Sequence, residues 1–144
     1  MSEEDDGGCR RRGIVGVDGS PASFHALAYA CGWAQRTGSH LVVVYAADAR
    51  WQQSIDASCV AAVLESTEQL AAQLKQQIAR WMRTAHVEWT FLVRNGECSR
   101  ALEAAATEHQ ADAIIVGQSR RRRLRRPTAS RLARGRQRVV IVVP

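Results

Sequence analysis

Short runs that are apolar at nearly every position divide the chain at regular intervals. They are Gly13-Ile14-Val15-Gly16-Val17, Leu41–Ala46 (LVVVYA), Ala113-Ile114-Ile115-Val116 and Val139–Val143 (VVIVV). Each is shorter than a helix, most are rich in β-branched residues, and turn residues bound them. That pattern suits strands buried on both faces, as in a parallel sheet. Val87–Val93 (VEWTFLV) differs, because Val87, Trp89, Phe91 and Val93 take alternate positions. It predicts a strand with one face better covered than the other, as expected towards a sheet edge.

Helical spacing fills the intervals. Ser20 followed by Pro21 predicts a helix start, with serine as N-cap and proline where no N–H is missed. That helix runs to about Arg36, with Phe24, Leu27, Ala28 and Cys31 on one face, and Thr37-Gly38-Ser39 ends it. Asp48–Asp56 reads as loop. From about Ala57 to Thr84, Val60, Val63, Leu64, Leu70, Leu74, Ile78, Trp81 and Met82 recur as in a long amphipathic helix. Asn95-Gly96 is a turn, Glu97–Gln110 an alanine-rich helix, and Thr128–Arg134 a brief helix before the last strand. Strands alternating with helices predict an α/β domain with a parallel sheet and right-handed crossovers. There is no internal repeat and no second domain; Met1–Arg12 reads as a disordered tail, acidic and then basic, ahead of a domain over 13–144.

The run Ala113–Val116 has the character of a central strand, and Gly117 stops it. In open α/β sheets, ligands sit beyond the carboxyl ends of such strands. Beyond Gly117 stand Gln118-Ser119 and then the arginine tract Arg120–Arg126 (RRRRLRR).

Charge sharpens that picture. The net +6 over 144 residues is unevenly placed: residues 1–8 hold four acids and no base, and 113–144 hold ten arginines and no acid. Basic character is therefore a local feature of one end of the chain. The tract Arg120–Arg126 reads in three ways: a solvated loop, a set of phosphate ligands, or a contact for nucleic acid or an acidic protein. No aromatic residue interleaves with it as a stacking platform. An apolar content of 46% fits a globular protein. No stretch approaches the roughly 20 apolar residues of a membrane helix, so no membrane partner is expected. Glu3, Glu4, Asp5 and Asp6 have the wrong charge for a signal peptide, and a cytoplasmic location is expected.

Cys9, Cys31, Cys59 and Cys98 lack metal-ligand spacing, and His25, His40, His86 and His109 are scattered, so no metal site is expected. Cys31 and Cys59 fall on apolar helix faces as buried thiols; Cys98 lies near a helix start and is expected to be inert. Trp33, Trp51, Trp81 and Trp89 are expected in the core or at its rim. No Ser/His/Asp or paired-carboxylate arrangement suggests catalysis. Asp18, at the tip of the first strand in Gly16-Val17-Asp18-Gly19-Ser20, has two readings. It caps the turn through its own side chain, or it accepts a hydrogen bond from a bound base or ribose. The junction has neither G-x-G-x-x-G nor Gly-Lys-Ser/Thr spacing.

Taken together, GIVGVDGSPAS, LVVVYAAD, ADAIIVGQS and the terminal VVIVVP resemble the universal stress protein family, from about Gly13 to Pro144. The resemblance implies a Rossmann-like, adenine nucleotide alpha hydrolase-like fold: an open five-stranded parallel sheet in the order 3-2-1-4-5, with helices on both faces. Many members bind ATP and many dimerise. On the positions that match, the resemblance implies that Asp18 meets the adenine end, that Ala46 packs on the base, and that Val116 and Gly117 begin the phosphate segment. ATP-binding members carry G-x2-G-x9-G-[S/T] there. In this chain Arg120 stands at the second glycine, and Ser130-Arg131 stand at the third, or else Pro127-Thr128 after a shortened spacing. The missing glycines would have let backbone N–H groups curl close to phosphates, which a β-carbon obstructs. The resemblance thus implies a degenerate site in a non-catalytic protein, with ATP bound weakly or not at all. Arg120, Arg121, Arg122 and Arg123 are candidate phosphate or nucleic-acid contacts, with Thr128 as the remnant hydroxyl. In the implied strand order Val139–Val143 lies at an edge, and an apolar edge invites pairing with another chain; a homodimer through it is expected.

Overall fold

The computed structural model describes residues 11–47, 57–118 and 138–144, with side chains left aside for 57–67. Five strands, β1 (Arg12–Val17), β2 (His40–Ala47), β3 (Trp89–Asn95), β4 (Ala113–Gly117) and β5 (Val139–Val143), form one sheet in the order β3-β2-β1-β4-β5. All four pairings are parallel. Helices α1 (Pro21–Thr37), α2 (Ala57–Met82) and α3 (Cys98–Glu108) connect them. The expected fold class and strand order are therefore observed. The expected loop Asp48–Asp56, most of the tail, the arginine tract and the brief helix Thr128–Arg134 lie outside the described residues.

Alternation along the strands sorts the apolar side chains into two layers. Val15, Val17, Leu41, Val43 and Ile115 meet Ala26, Leu27, Ala30 and Cys31 of α1 and Leu74, Ile78 and Met82 of α2. On the other face, Ile14, Val42, Val44, Ile114 and Val116 meet Leu102, Ala105 and Ala106 of α3. Both faces of the three inner strands are covered, which explains why their sequences are apolar throughout.

Helix α1 starts as its residues dictate. Ser20 is extended (φ −73°, ψ 156°), its hydroxyl accepts the Ser23 N–H at 3.3 Å, and Pro21 follows. Loss of such a cap costs about 1 kcal/mol. Gly38 closes the helix in the left-handed region (φ 64°), donating its N–H to Ala34. The buried face runs through Ser23, Ala26, Leu27, Ala30, Cys31 and Ala34, leaving Phe24 half-buried and Ala28 exposed. The buried face is therefore rotated from the expected one, because small alanines, and not the larger side chains, sit where the helix presses closest to the sheet.

Three boundaries shift. β1 begins at Arg12, which pairs with His40. β3 runs from Trp89 to Asn95 instead of from Val87 to Val93, because its partners are Leu41 to Ala47 along nearly the whole of β2. α3 stops at Glu108, where Gln110 turns the chain with φ 52°. As expected for an edge, β3 keeps Trp89 and Phe91 half-buried on the core while Val93 is exposed.

Candidate functional site

The carboxyl end of the sheet is built around the place where β1 and β4 part. β1 pairs with β2 as far as Val17↔Tyr45, and β4 pairs with β5 as far as Gly117↔Val143. Between β1 and β4 the register stops at Val15↔Ile115. Here the chain connections turn opposite ways, β1 leading through α1 to β2 on one side while β4 neighbours β5 on the other. This is the topological switch point at which open α/β sheets place ligands.

Candidate residues from three strands meet there. Gly16 and Val116 point to the α3 face: a β-carbon on Gly16 would lie 3.0 Å from Leu102 Cδ1 and 3.6 Å from Val116 Cγ1. Ala46 continues the Val42, Val44 series on that same face, one residue beyond the pair Val17↔Tyr45. Asp18 follows directly after β1 and is exposed; Val116 is buried; Ala46 and Gly117 are intermediate. The structure thus brings Asp18, Ala46, Val116 and Gly117 to one end of the sheet. Thr128 and Arg120, Arg121, Arg122 and Arg123 lie outside the described residues.

Local chemistry gives two of these residues structural roles. Asp18 Oδ1 accepts the Ser20 N–H at 2.8 Å, while Gly19 between them takes φ 84°. The carboxylate therefore closes the turn that launches α1, as an aspartate does in an Asx-turn. Gly117 is required by packing. A β-carbon there would lie 2.7 Å from the carbonyl carbon of Ala22 and collide with its oxygen. The first turn of α1 is seated on the end of β4, and only glycine leaves room for it. Past that contact, Gln118 N–H donates to the Val143 carbonyl at 2.8 Å and carries the β4–β5 pairing one step further.

The roles of Ala22 and Leu102 in shaping this end were not legible in the sequence. Each matters because it meets a glycine of another element. Cys98 opens α3 and packs half-buried against the α3-side core. Cys31 is buried, and desolvation pushes its thiol from about 9.0 up to about 11. Among the described residues no three His, Cys, Asp or Glu side chains gather as a metal site. None of the described helices is long and apolar enough to cross a membrane.

An α/β sheet of this order, with a parted β1/β4 junction, defines the class of open, doubly wound α/β domains. The model of the universal stress protein family matches residues 10–144, and the chain belongs to that family. Solved structures agree. The universal stress protein UspA from Lactobacillus plantarum has 22% identity and a TM-score of 0.78, over 93% of this chain and 97% of that one. A universal stress protein family member from Burkholderia pseudomallei has 27% identity and a TM-score of 0.72, over 92% and 95%. A universal stress protein solved in complex with cAMP has 20% identity and a TM-score of 0.73, over 93% and 97%. No curated protein matches the chain by sequence.

Proposed function

We propose that the chain is a non-catalytic regulatory domain of the universal stress type whose adenine-nucleotide site is degenerate, so that ATP is bound weakly or not at all. The observation that carries this reading is at Gly117. The one glycine remaining from the phosphate segment is needed to seat Ala22 of α1, so its presence is explained without a ligand. The positions that would complete a backbone cradle are Arg120 and Ser130, or Pro127 after the shorter spacing. Arginine makes strong phosphate contacts, but ordering each long side chain costs up to about 2 kcal/mol in rotamer entropy, a cost that fixed backbone donors escape.

The adenosine end keeps more. Asp18 is exposed, and one of its oxygens is committed to the turn. A similarly folded universal stress protein was solved in complex with cAMP, which supports an adenine nucleotide as the ligand class; the reading puts its adenosine end at Asp18 and Ala46. The reading includes a cytoplasmic location and a homodimer paired along β5, whose Val139 and Val142 are exposed. Its test is whether the purified protein carries a nucleotide, read by mass spectrometry of the supernatant after acid precipitation. No adenine nucleotide is expected; stoichiometric ATP would overturn the reading.

A second reading rests on the ten arginines and no acid of residues 113–144: association with nucleic acid through Arg120–Arg126. Replacing Arg121, Arg122 and Arg123 by glutamine should then lower both the affinity and its salt dependence. Binding unaltered by the triple change counts against it.

A further inference from the structure

Three polar side chains meet at the amino end of the sheet, the end opposite Asp18 and Gly117. His40 is the first residue of β2 and alternates with Val42 and Val44, so it shares their α3-side face. Thr90 is the register partner of Val42 and lies on the same face. The backbone holds all three residues in place. His40 N–H donates to the Arg11 carbonyl at 2.9 Å, and Leu41 N–H donates to the Glu88 carbonyl at 2.9 Å. Glu88, just before β3, is thereby fixed beside the start of β2.

The side chains line up as carboxylate, imidazole and hydroxyl. His40 Nε2 lies 2.8 Å from Thr90 Oγ1, and Glu88 Oε2 lies 3.8 Å from His40 Nδ1. A carboxylate on that side favours the tautomer with its hydrogen on Nδ1, which turns the Nε2 lone pair to the threonine. The Thr90 hydroxyl then donates to the imidazole, the arrangement in which an alcohol gives up its proton as it attacks. At 3.8 Å Glu88 acts through its charge, opposing the positive charge that the ring takes up with the proton. Arg12, the register partner of His40 on β1, sends Nη1 to the His109 carbonyl at 3.2 Å, so its guanidinium is engaged at the end of α3. Thr90 is exposed, and solvent reaches the hydroxyl. A hydrogen bond that only tied β2 to β3 needs neither a carboxylate on the far ring nitrogen nor an accessible oxygen.

We propose that Thr90 is a modification site, a nucleophilic hydroxyl that accepts an acyl group from activated esters or thioesters, with His40 as its general base and Glu88 as a positioning residue. Thr90 Oγ1 bonds to the acyl carbonyl carbon while its proton passes to His40 Nε2. The bond from that carbon to the leaving oxygen or sulfur breaks, and the leaving group departs with the proton. The products are an ester on Thr90 and a free alcohol or thiol; nothing is oxidised or reduced. Acyl donors suit the place because they present a neutral carbonyl, whereas a phosphoryl donor brings anionic oxygens towards Glu88. The inference goes beyond the nucleotide reading and stands whether or not ATP binds at the other end of the sheet.

The test incubates the full chain with p-nitrophenyl acetate, and separately with acetyl-coenzyme A, and locates the acetyl group by tandem mass spectrometry. The first reagent represents an ester donor and the second a thioester, and labelling of Thr90 by either supports the proposal. Thr90→Val should abolish that label and Thr90→Ser should keep it. His40→Gln retains a hydrogen-bonding side chain but cannot take the proton, so the rate should fall about 100-fold or more. Glu88→Gln should slow labelling by at most about fivefold, as befits an exposed pair. The parent rate should fall towards that of Glu88→Gln as salt rises from about 0.01 to 1 M, while the variant's rate stays level. Matching unfolding midpoints show that the variants fold; if His40→Gln is destabilised, the salt series and Thr90→Ser carry the test. Nitrophenolate release that continues past one equivalent, and is lost with Thr90→Val, supports the role of Thr90 and counts against the non-catalytic reading instead. No acetyl group on Thr90, label on Cys98 or the N-terminus alone, or a rate unchanged by His40→Gln overturns the proposal.

Discussion

Substituting Gly117 by alanine separates a packing glycine from a ligand glycine. The new β-carbon would lie 2.7 Å from the Ala22 carbonyl carbon and closer still to its oxygen. These are backbone atoms of a helix turn held by the Ser20 cap, with Ser23 N–H bonded both to Ser20 Oγ at 3.3 Å and to the Ser20 carbonyl at 3.1 Å. On the other side, β4 is fixed by β1 and β5. Neither partner moves freely, so the cost belongs at the upper end of overpacking penalties, about 3 kcal/mol. For a domain of this size that lowers Tm by about 6–12 °C, from a total stability on the order of 10 kcal/mol. Gly16→Ala is the internal control, because its β-carbon meets Leu102 Cδ1 at 3.0 Å, the end of a flexible side chain; it should cost clearly less. Urea unfolding followed by circular dichroism measures both. A Gly117→Ala protein with an unchanged midpoint would refute the packing argument and return Gly117 to the phosphate site.

Three further expectations concern other parts of the molecule. Gly13→Ala should destabilise by about 1–3 kcal/mol, because its β-carbon would reach 2.5 Å from Trp33 Cζ3; a fluorescence-monitored melt showing no loss speaks against that contact. Sedimentation at micromolar concentration should show a dimer that dissociates when Val142, 45% exposed on β5, is changed to lysine; a monomeric parent protein removes the β5 pairing. The Cys31 thiol, raised to about 11 by burial, holds its proton more tightly folded than unfolded. Its contribution is complete below the ordinary value near 9.0 and is lost as pH rises towards 11. Stability of the parent should therefore fall across that window more than stability of Cys31→Ala, and parallel pH profiles would contradict this.

The fold was legible because its inner strands are buried on both faces, which leaves no polar position to obscure them. Ile14-Val15, Leu41–Val44 and Ile114–Val116 announced the inner strands, and Ser20-Pro21 announced the start of α1. What stayed hidden depended on contacts between elements. The extent of β3 is set by the length of β2, not by its own alternation, so its edges moved to Trp89 and Asn95. The buried face of α1 follows close approach to the sheet, which favours Ala26, Ala30 and Ala34 over Phe24. At the candidate site, the turn closed by Asp18 was one of the two readings its sequence allowed and is observed, whereas the engagement of Gly117 with Ala22 was not visible.

The central claim, that the phosphate end of the site has lost its cradle while the adenosine end persists, is tested most directly by titration calorimetry with ATP. The measurement compares the parent chain with Asp18→Ala, each with and without magnesium. The account predicts no heat, or a dissociation constant near or above about 1 mM, equivalent to about −4 kcal/mol, little changed by magnesium and weakened by Asp18→Ala. A tight, magnesium-dependent complex insensitive to Asp18→Ala would contradict it.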